Sequence, residues 1–192
     1  MQPDSLGPGE VSFASAPEEL FRGDVANLDE EFDAIFGIGP NKDCPPYESD
    51  YCQNKDLTYR SQHMADVAGF YRGFNLDVSA RAFERADHLS IEAEFMAVVI
   101  SREMAAVSDN LGLERLDVCR TAQHNFFKEH IGWWMPAFGI LLMRHAVSGF
   151  YSEMGLLLRA FAAAERKVLG IGPFNILPDA QVSKYDEQSC SS

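Results

Sequence analysis

Five histidines, 29 acidic side chains and four cysteines are the residues of this 192-residue chain whose chemistry could serve metal binding or proton transfer. In a di-iron carboxylate bundle, a Glu-x-x-His pair on each of two helices points inward at the metals. The residues three before His63, His88, His124, His130 and His145 are Arg60, Arg85, Thr121, Phe127 and Leu142, none of them glutamate, so that reading fails on spacing. His124 and His130, six apart, lack the third and fourth ligands of a zinc site and read as one surface and one packed histidine. Cys44, Cys52, Cys119 and Cys190 show no CxxC spacing and support no disulfide framework. Gly37-Ile38-Gly39-Pro40 and Gly170-Ile171-Gly172-Pro173 have neither the lysine of a phosphate loop nor the strand-to-helix setting of a dinucleotide turn, and Gly-x-Ser-x-Gly is absent. No catalytic residue, metal ligand or cofactor is assigned; catalytic groups assembled in space from distant residues stay open, though nothing in the sequence points to them.

Two segments remain as candidates for recognition. One is Pro46-Tyr47-Glu48-Ser49-Asp50-Tyr51 in a Pro-rich loop; the other is Glu84-Arg85-Ala86-Asp87-His88-Leu89, followed by Glu94-Phe95-Met96. Tyr47 and Tyr51 are either aromatic anchors for a partner or pins that fix the loop to the body. Glu48 suits a partner arginine, or else local backbone N–H groups. Asp87 reads as a helix N-cap, which leaves His88 for a partner-sensitive or pH-sensitive contact. Trp133 and Trp134 are adjacent, so at helical spacing only one points fully into the core and the other is open to a partner. Phe95, Met96, Phe126 and Phe127 read as core.

The elements that must carry these residues are helical. Residues 1–16, with Pro3, Gly7, Pro8 and Gly9, read as a flexible terminus. Phe21, Val25, Leu28, Phe32 and Ile35 recur at three and four, which predicts an amphipathic helix over 17–36. The prolines and glycines of 37–56 make a long loop. Further helices are expected over 57–74, from Asp87 to about 110, over 114–130 with Gly132 as its stop, and from Trp134 to 169 as one helix or two meeting near Ser148-Gly149. The prediction is an all-α protein: an irregular bundle of five or six helices forming a single domain over 17–172, with a polar, disordered tail at 173–192.

Formal net charge is −13, and residues 1–60 hold 13 acidic against 4 basic side chains. Such charge repels nucleic-acid phosphates and anionic lipid, and suits either solubility or a basic partner peptide. The most apolar run, Ile131 to Met143, is 13 residues long. A membrane span needs roughly 20. With no secretory signal and no Arg-Arg pair, a cytoplasmic protein without membrane insertion is expected.

The order of these motifs resembles the TorD/DmsD/NarJ family of chaperones for molybdenum enzymes. The family's Pro-Tyr-Glu-Ser loop with an aromatic two residues on is similar to Pro46–Tyr51. Its Glu-Pro-x-Asp-His-Leu sequence leading to Glu-Phe-Met is similar to Glu84–Leu89 and Glu94–Met96, although no proline lies between Glu84 and Asp87 here. A histidine ending a helix, then tryptophan, proline and a Phe-Tyr pair is matched by His130, Trp133 or Trp134, Pro136 and Phe150-Tyr151. The loop resembles in particular the branch serving selenate, chlorate, dimethyl sulfide or ethylbenzene oxidoreductases. The resemblance implies a TorD-like fold and a cytoplasmic chaperone, not an enzyme, that binds the apo catalytic subunit of a molybdopterin oxidoreductase and its twin-arginine signal peptide. Such a chaperone assists molybdenum cofactor insertion and delays export, as a monomer or dimer. It implies partner contacts at Tyr47, Glu48, Ser49, Tyr51, Glu84, Asp87, His88 and Trp133. Two other classes stay open: a helical structural or regulatory subunit retained in an oxidoreductase complex, and a small nucleotide-binding protein using the Glu84–His88 corner.

Overall fold

A computed structural model describes residues 28–37, 43–54, 56–79, 82–146 and 149–174. Among these residues the chain forms six α-helices and one 3-10 turn: α1 (Leu28–Phe36), the turn Glu48–Asp50, α2 (Leu57–Gly73), α3 (Leu89–Ser108), α4 (Leu113–Glu129), α5 (Ile131–His145) and α6 (Gly149–Val168). The expected all-α bundle is what folds. The described residues contain no strand, only an isolated antiparallel bridge between Tyr47 and His88. The helix start expected at Pro17 and the terminal segment 1–16 lie outside the described residues, as does the tail beyond Phe174.

Helix boundaries follow local chemistry. Asp56 caps α2 by accepting from the Thr58 and Tyr59 amides, at 2.8 and 3.2 Å. Asn75 and Asn110, at φ 55° and 51°, turn the chain out of α2 and α3 in the left-handed conformation that asparagine tolerates. Two expectations need correction at the end of α4. Gly132 does not stop that helix: the break is His130, at φ −123° and ψ −100°, and α5 starts at Ile131 rather than near Trp134. The reason is close packing, since a Cβ on Gly132 would stand 2.5 Å from the Phe127 carbonyl oxygen. Glycine therefore lets α5 begin hard against the end of α4, with Pro136 inside its second turn.

Two apolar clusters make the core. The larger gathers Val67 and Tyr71 from α2, Phe95, Met96 and Val99 from α3, Phe126 and Phe127 from α4, and Met135 from α5. Its aromatic rings meet edge to face, as with Phe95 and Phe126 at 4.6 Å between centroids. The smaller cluster joins Ile35 of α1, Cys44 and Tyr51 of the loop, and Trp134, Phe138 and Leu142 of α5. Trp134 is fully buried and Trp133 half-buried, the division their adjacency requires. After α6 the chain still packs: Ile171 is buried and Phe174 lies against Phe127.

Helices α5 and α6 touch backbone to backbone at one point. A Cβ on Gly155 would lie 2.5 Å from the Gly139 carbonyl oxygen and 2.7 Å from Met143 Cγ, and one on Gly139 would lie 2.7 Å from the Gly155 carbonyl oxygen. Gly155→Ala is expected to force these helices apart and cost about 1–3 kcal/mol in urea denaturation. Gly69→Ala, at an exposed position of α2 with nothing within 4 Å of the added methyl, is expected to stabilise by about 0.5–1 kcal/mol.

Candidate functional site

The two candidate segments, Pro46–Tyr51 and Glu84–Leu89, form one clasp. The Glu48 amide donates to the Asp87 carbonyl and the Leu89 amide to the Pro46 carbonyl, both at 2.9 Å. Side chains close the same contact. The Asp87 carboxylate, fully buried, accepts from the Ser49 amide at 3.1 Å and from Arg85 at 3.0 and 3.2 Å. Arg85 also donates to Ser49 Oγ at 3.1 Å and lies over the Tyr47 ring with Cζ 4.0 Å from its centroid. The Tyr47 hydroxyl donates to the Glu84 carboxylate, and the Tyr47 and His88 rings meet edge to face. Hydrogen bonds hold the corner that a proline would otherwise stiffen: the His88 amide donates to the Arg85 carbonyl at 3.1 Å, and the Tyr71 hydroxyl to the Ala86 carbonyl at 2.7 Å.

Asp87 is therefore not the N-cap of α3. That position belongs to His88, whose Nδ1 accepts from the Ser90 amide at 3.2 Å. The bridge to the loop turns the Asp87 side chain toward Ser49 and Arg85 and leaves the next residue at the helix mouth. Partial burial holds the His88 imidazole below its ordinary value, which keeps Nδ1 an acceptor.

Beneath the clasp lies a buried polar cluster drawn from four elements. Glu48 is wholly enclosed. Its Oε1 accepts from Trp133 Nε1 at 2.6 Å, and its Oε2 from His130 Nδ1 at 3.1 Å. His63 Nε2 of α2 stands 2.8 Å from the same Oε2. Burial by itself would push the Glu48 carboxyl up, but the contacts and charge of His130 and His63 outweigh it and hold it below the usual carboxylate range. The Glu48 contact in turn raises His63 above its ordinary value, against partial burial. Glu92 of α3, also fully buried, faces Glu48 and accepts from Trp134 Nε1 at 3.1 Å. Burial and then the Glu48 charge drive its carboxyl well above 4.5. Glu92 thus keeps its proton, and Oε1, which has no donor of its own, can give that proton to Glu48. Tyr51 packs at a tilt against Trp134, which pins the loop to α5, and donates from its hydroxyl to the Pro45 carbonyl at 2.9 Å.

Of the eight residues named from sequence, Glu48, Ser49, Tyr51 and Asp87 are buried with internal partners. Tyr47 and His88 are half-exposed, Glu84 is exposed and Trp133 is half-buried, so these four reach the surface around the clasp. Sequence reasoning missed Arg85, Glu92 and the role of His63. Glu92 had a visible signal: it falls on the apolar stripe Leu89, Phe95, Met96, Val99, where a glutamate needs an internal partner.

The family described as the nitrate reductase delta subunit matches the chain over residues 14–139. The selenate reductase assembly chaperone protein of Thauera selenatis is 31% identical over 144 residues, 74% of this chain and 70% of that one. The chlorate reductase assembly chaperone protein of Ideonella dechloratans is 28% identical over 63% of this chain and 60% of its own length. The chaperone protein TorD of Aliivibrio fischeri (strain ATCC 700601 / ES114) is 27% identical over 65% of this chain and 55% of its own. No solved structure matches the chain.

Two measurements check this geometry. Asp87→Ala strips the Ser49 amide and Arg85 of their buried acceptor and is expected to lower stability by about 2 kcal/mol, less than a fully buried pair because Arg85 is partly solvated. For Glu92 the sign follows from a folded-state pKa raised above the unfolded one: its stabilisation is complete below the unfolded value and lost as pH rises toward the folded one. Glu92→Gln keeps the shape, the acceptor for Trp134 and a donor for Glu48 without a titrating proton. Its stability relative to the wild type is expected to climb as pH increases above 4.5. A difference flat with pH would mean an ionised Glu92.

Proposed function

Since the chain belongs to the TorD/DmsD/NarJ family of the nitrate reductase delta subunit, we propose that it is an assembly chaperone for the catalytic subunit of a molybdenum oxidoreductase. The observation that carries this reading is the clasp itself: the two motifs by which the sequence resembles the family are joined here by backbone and side-chain hydrogen bonds into one feature. Relatives named as assembly chaperones for selenate and chlorate reductase support the same class of client. The role is recognition rather than catalysis. The chain acts in the cytoplasm on a client that lacks its cofactor, and holds back twin-arginine export until the molybdenum cofactor is inserted. No helix among the described residues is long and apolar enough to cross a membrane.

The eight residues divide by position. Tyr47, Glu84, His88 and Trp133 meet the client, with Glu84 available to an arginine. Glu48, Ser49, Tyr51 and Asp87 hold that surface in place from beneath. Long side chains at a recognition face must be fixed before binding, or the entropy of fixing them is subtracted from affinity. Here Arg85 on Tyr47, Tyr47 on Glu84 and Trp133 on Glu48 supply the fixing.

The tagged chain, recovered from its host grown by alternative respiration, is expected to carry a cofactor-free molybdoenzyme subunit that retains its twin-arginine leader. Tyr47→Ala and His88→Ala are expected to weaken client recovery by about tenfold each, with helical content unchanged by circular dichroism. Full recovery with both variants would remove these residues from the contact. Recovery of a finished, cofactor-loaded complex in fixed stoichiometry would overturn the chaperone role in favour of a permanent subunit.

A further inference from the structure

The cluster under the clasp, besides fixing the loop, brings together a set of potential metal donors. One ligand atom each from Glu48, His63 and His130 lies within 4.8 Å of the others. We propose that these three side chains bind one divalent transition-metal ion of the zinc class, through Glu48 Oε2, His63 Nε2 and His130 Nδ1, with a fourth position open to water. The inference does not depend on the chaperone reading.

Geometry carries it. Both imidazole nitrogens converge on a single carboxylate oxygen, at 2.8 and 3.1 Å. Donors around a tetrahedral ion with bonds of about 2.0 Å stand about 3.3 Å apart, close to the two histidine–carboxylate spacings here, and the histidine–histidine edge is within 4.8 Å. His63 Nε2 approaches Glu48 off the line of a hydrogen bond and is buried without a hydrogen-bond partner. Two imidazoles and a carboxylate suit zinc and its neighbours, and exclude calcium and magnesium, which favour all-oxygen shells.

The surroundings fit the same ion. Trp133 Nε1 takes the other Glu48 oxygen and so fixes which oxygen faces the histidines. His130 Nε2, buried and without a hydrogen-bond partner, points toward Asp66 Oδ2 at 3.7 Å. With Nδ1 on a metal, Nε2 carries the proton, and a small movement of the exposed Asp66 gives the carboxylate–histidine–metal arrangement that orients a ligating ring. An entry path exists: the His63 side chain is 14% exposed and, with Asp66, lines a surface hollow of about 560 Å³. Ligands from the loop, α2 and the α4–α5 junction would be stapled together by one ion.

The full chain, stripped by chelator, is tested by equilibrium dialysis against Zn²⁺ and by titration with Co²⁺, whose visible absorption reports coordination. The expected result is one equivalent of Zn²⁺ and a four-coordinate Co²⁺ spectrum without thiolate charge transfer. Binding should weaken by at least about tenfold in His63→Ala and stay unchanged in the control His145→Ala, at an exposed position in α5. Folding of His63→Ala is checked by circular dichroism; should it fail, the wild-type Co²⁺ spectrum still decides. Absence of binding, equal binding by a folded His63→Ala, or a thiolate band showing that the cysteines hold the ion would each overturn the site and leave an ion pair only.

Discussion

A carboxylate removed from water must find its donors inside the protein, and Glu48 is the group for which this chain has made that arrangement. An isolated buried charge costs several kcal/mol, so its neighbours are constrained together. Trp133 and His130 reach it from either side of the α4–α5 break and His63 from α2, while Glu92 of α3 stays neutral to face it. Four helices and a loop are thus indexed to one side chain. The one-residue break at His130, and the glycine that allows α5 to start immediately after it, place His130 and Trp133 on the same carboxylate.

From that constraint the surface follows. With Glu48 fixed, the loop residues on either side of it have set directions: Tyr47 outward against Glu84, Arg85 and His88, and Tyr51 inward onto Trp134. Asp87 then joins the loop to the start of α3 by accepting from Ser49 and Arg85. The surface proposed for recognition is therefore set from beneath by hydrogen-bonded and ion-paired side chains. Contact groups that are ordered before binding lose less conformational entropy when a partner arrives.

Paired glutamates with opposed charge states are more often sought in catalytic sites, where environments drive two carboxyls apart for acid and base roles. Here Glu48 is held ionised by histidines and Glu92 is held neutral by burial, yet both are enclosed beneath the surface proposed for recognition. The same physics serves architecture: a neutral carboxyl faces an ionised one, and each receives an indole N–H from one of two adjacent tryptophans. Trp133 and Trp134 thus both act as anchors on neighbouring faces of α5, Trp134 within the core and Trp133 half-buried at its edge.

Local periodicity and punctuation determined the helices of this protein, because apolar residues at three and four must share a face and asparagine or glycine must supply the left-handed exits. They also determined which residues are core, such as Phe95, Met96, Phe126 and Phe127. The two motifs were legible too, but as separate strings, with Asp87 read as a cap because caps are judged from adjacent residues. Only tertiary structure decided that Asp87 faces the loop, that His88 caps α3, and that four of the eight named residues lie beneath the surface. Only it could unite Glu48, His63, Glu92 and His130, since spacing rules compare positions within one element and these four sit on four. A buried charge is satisfied through space, and the chain's order along the sequence does not encode which distant donors will reach it.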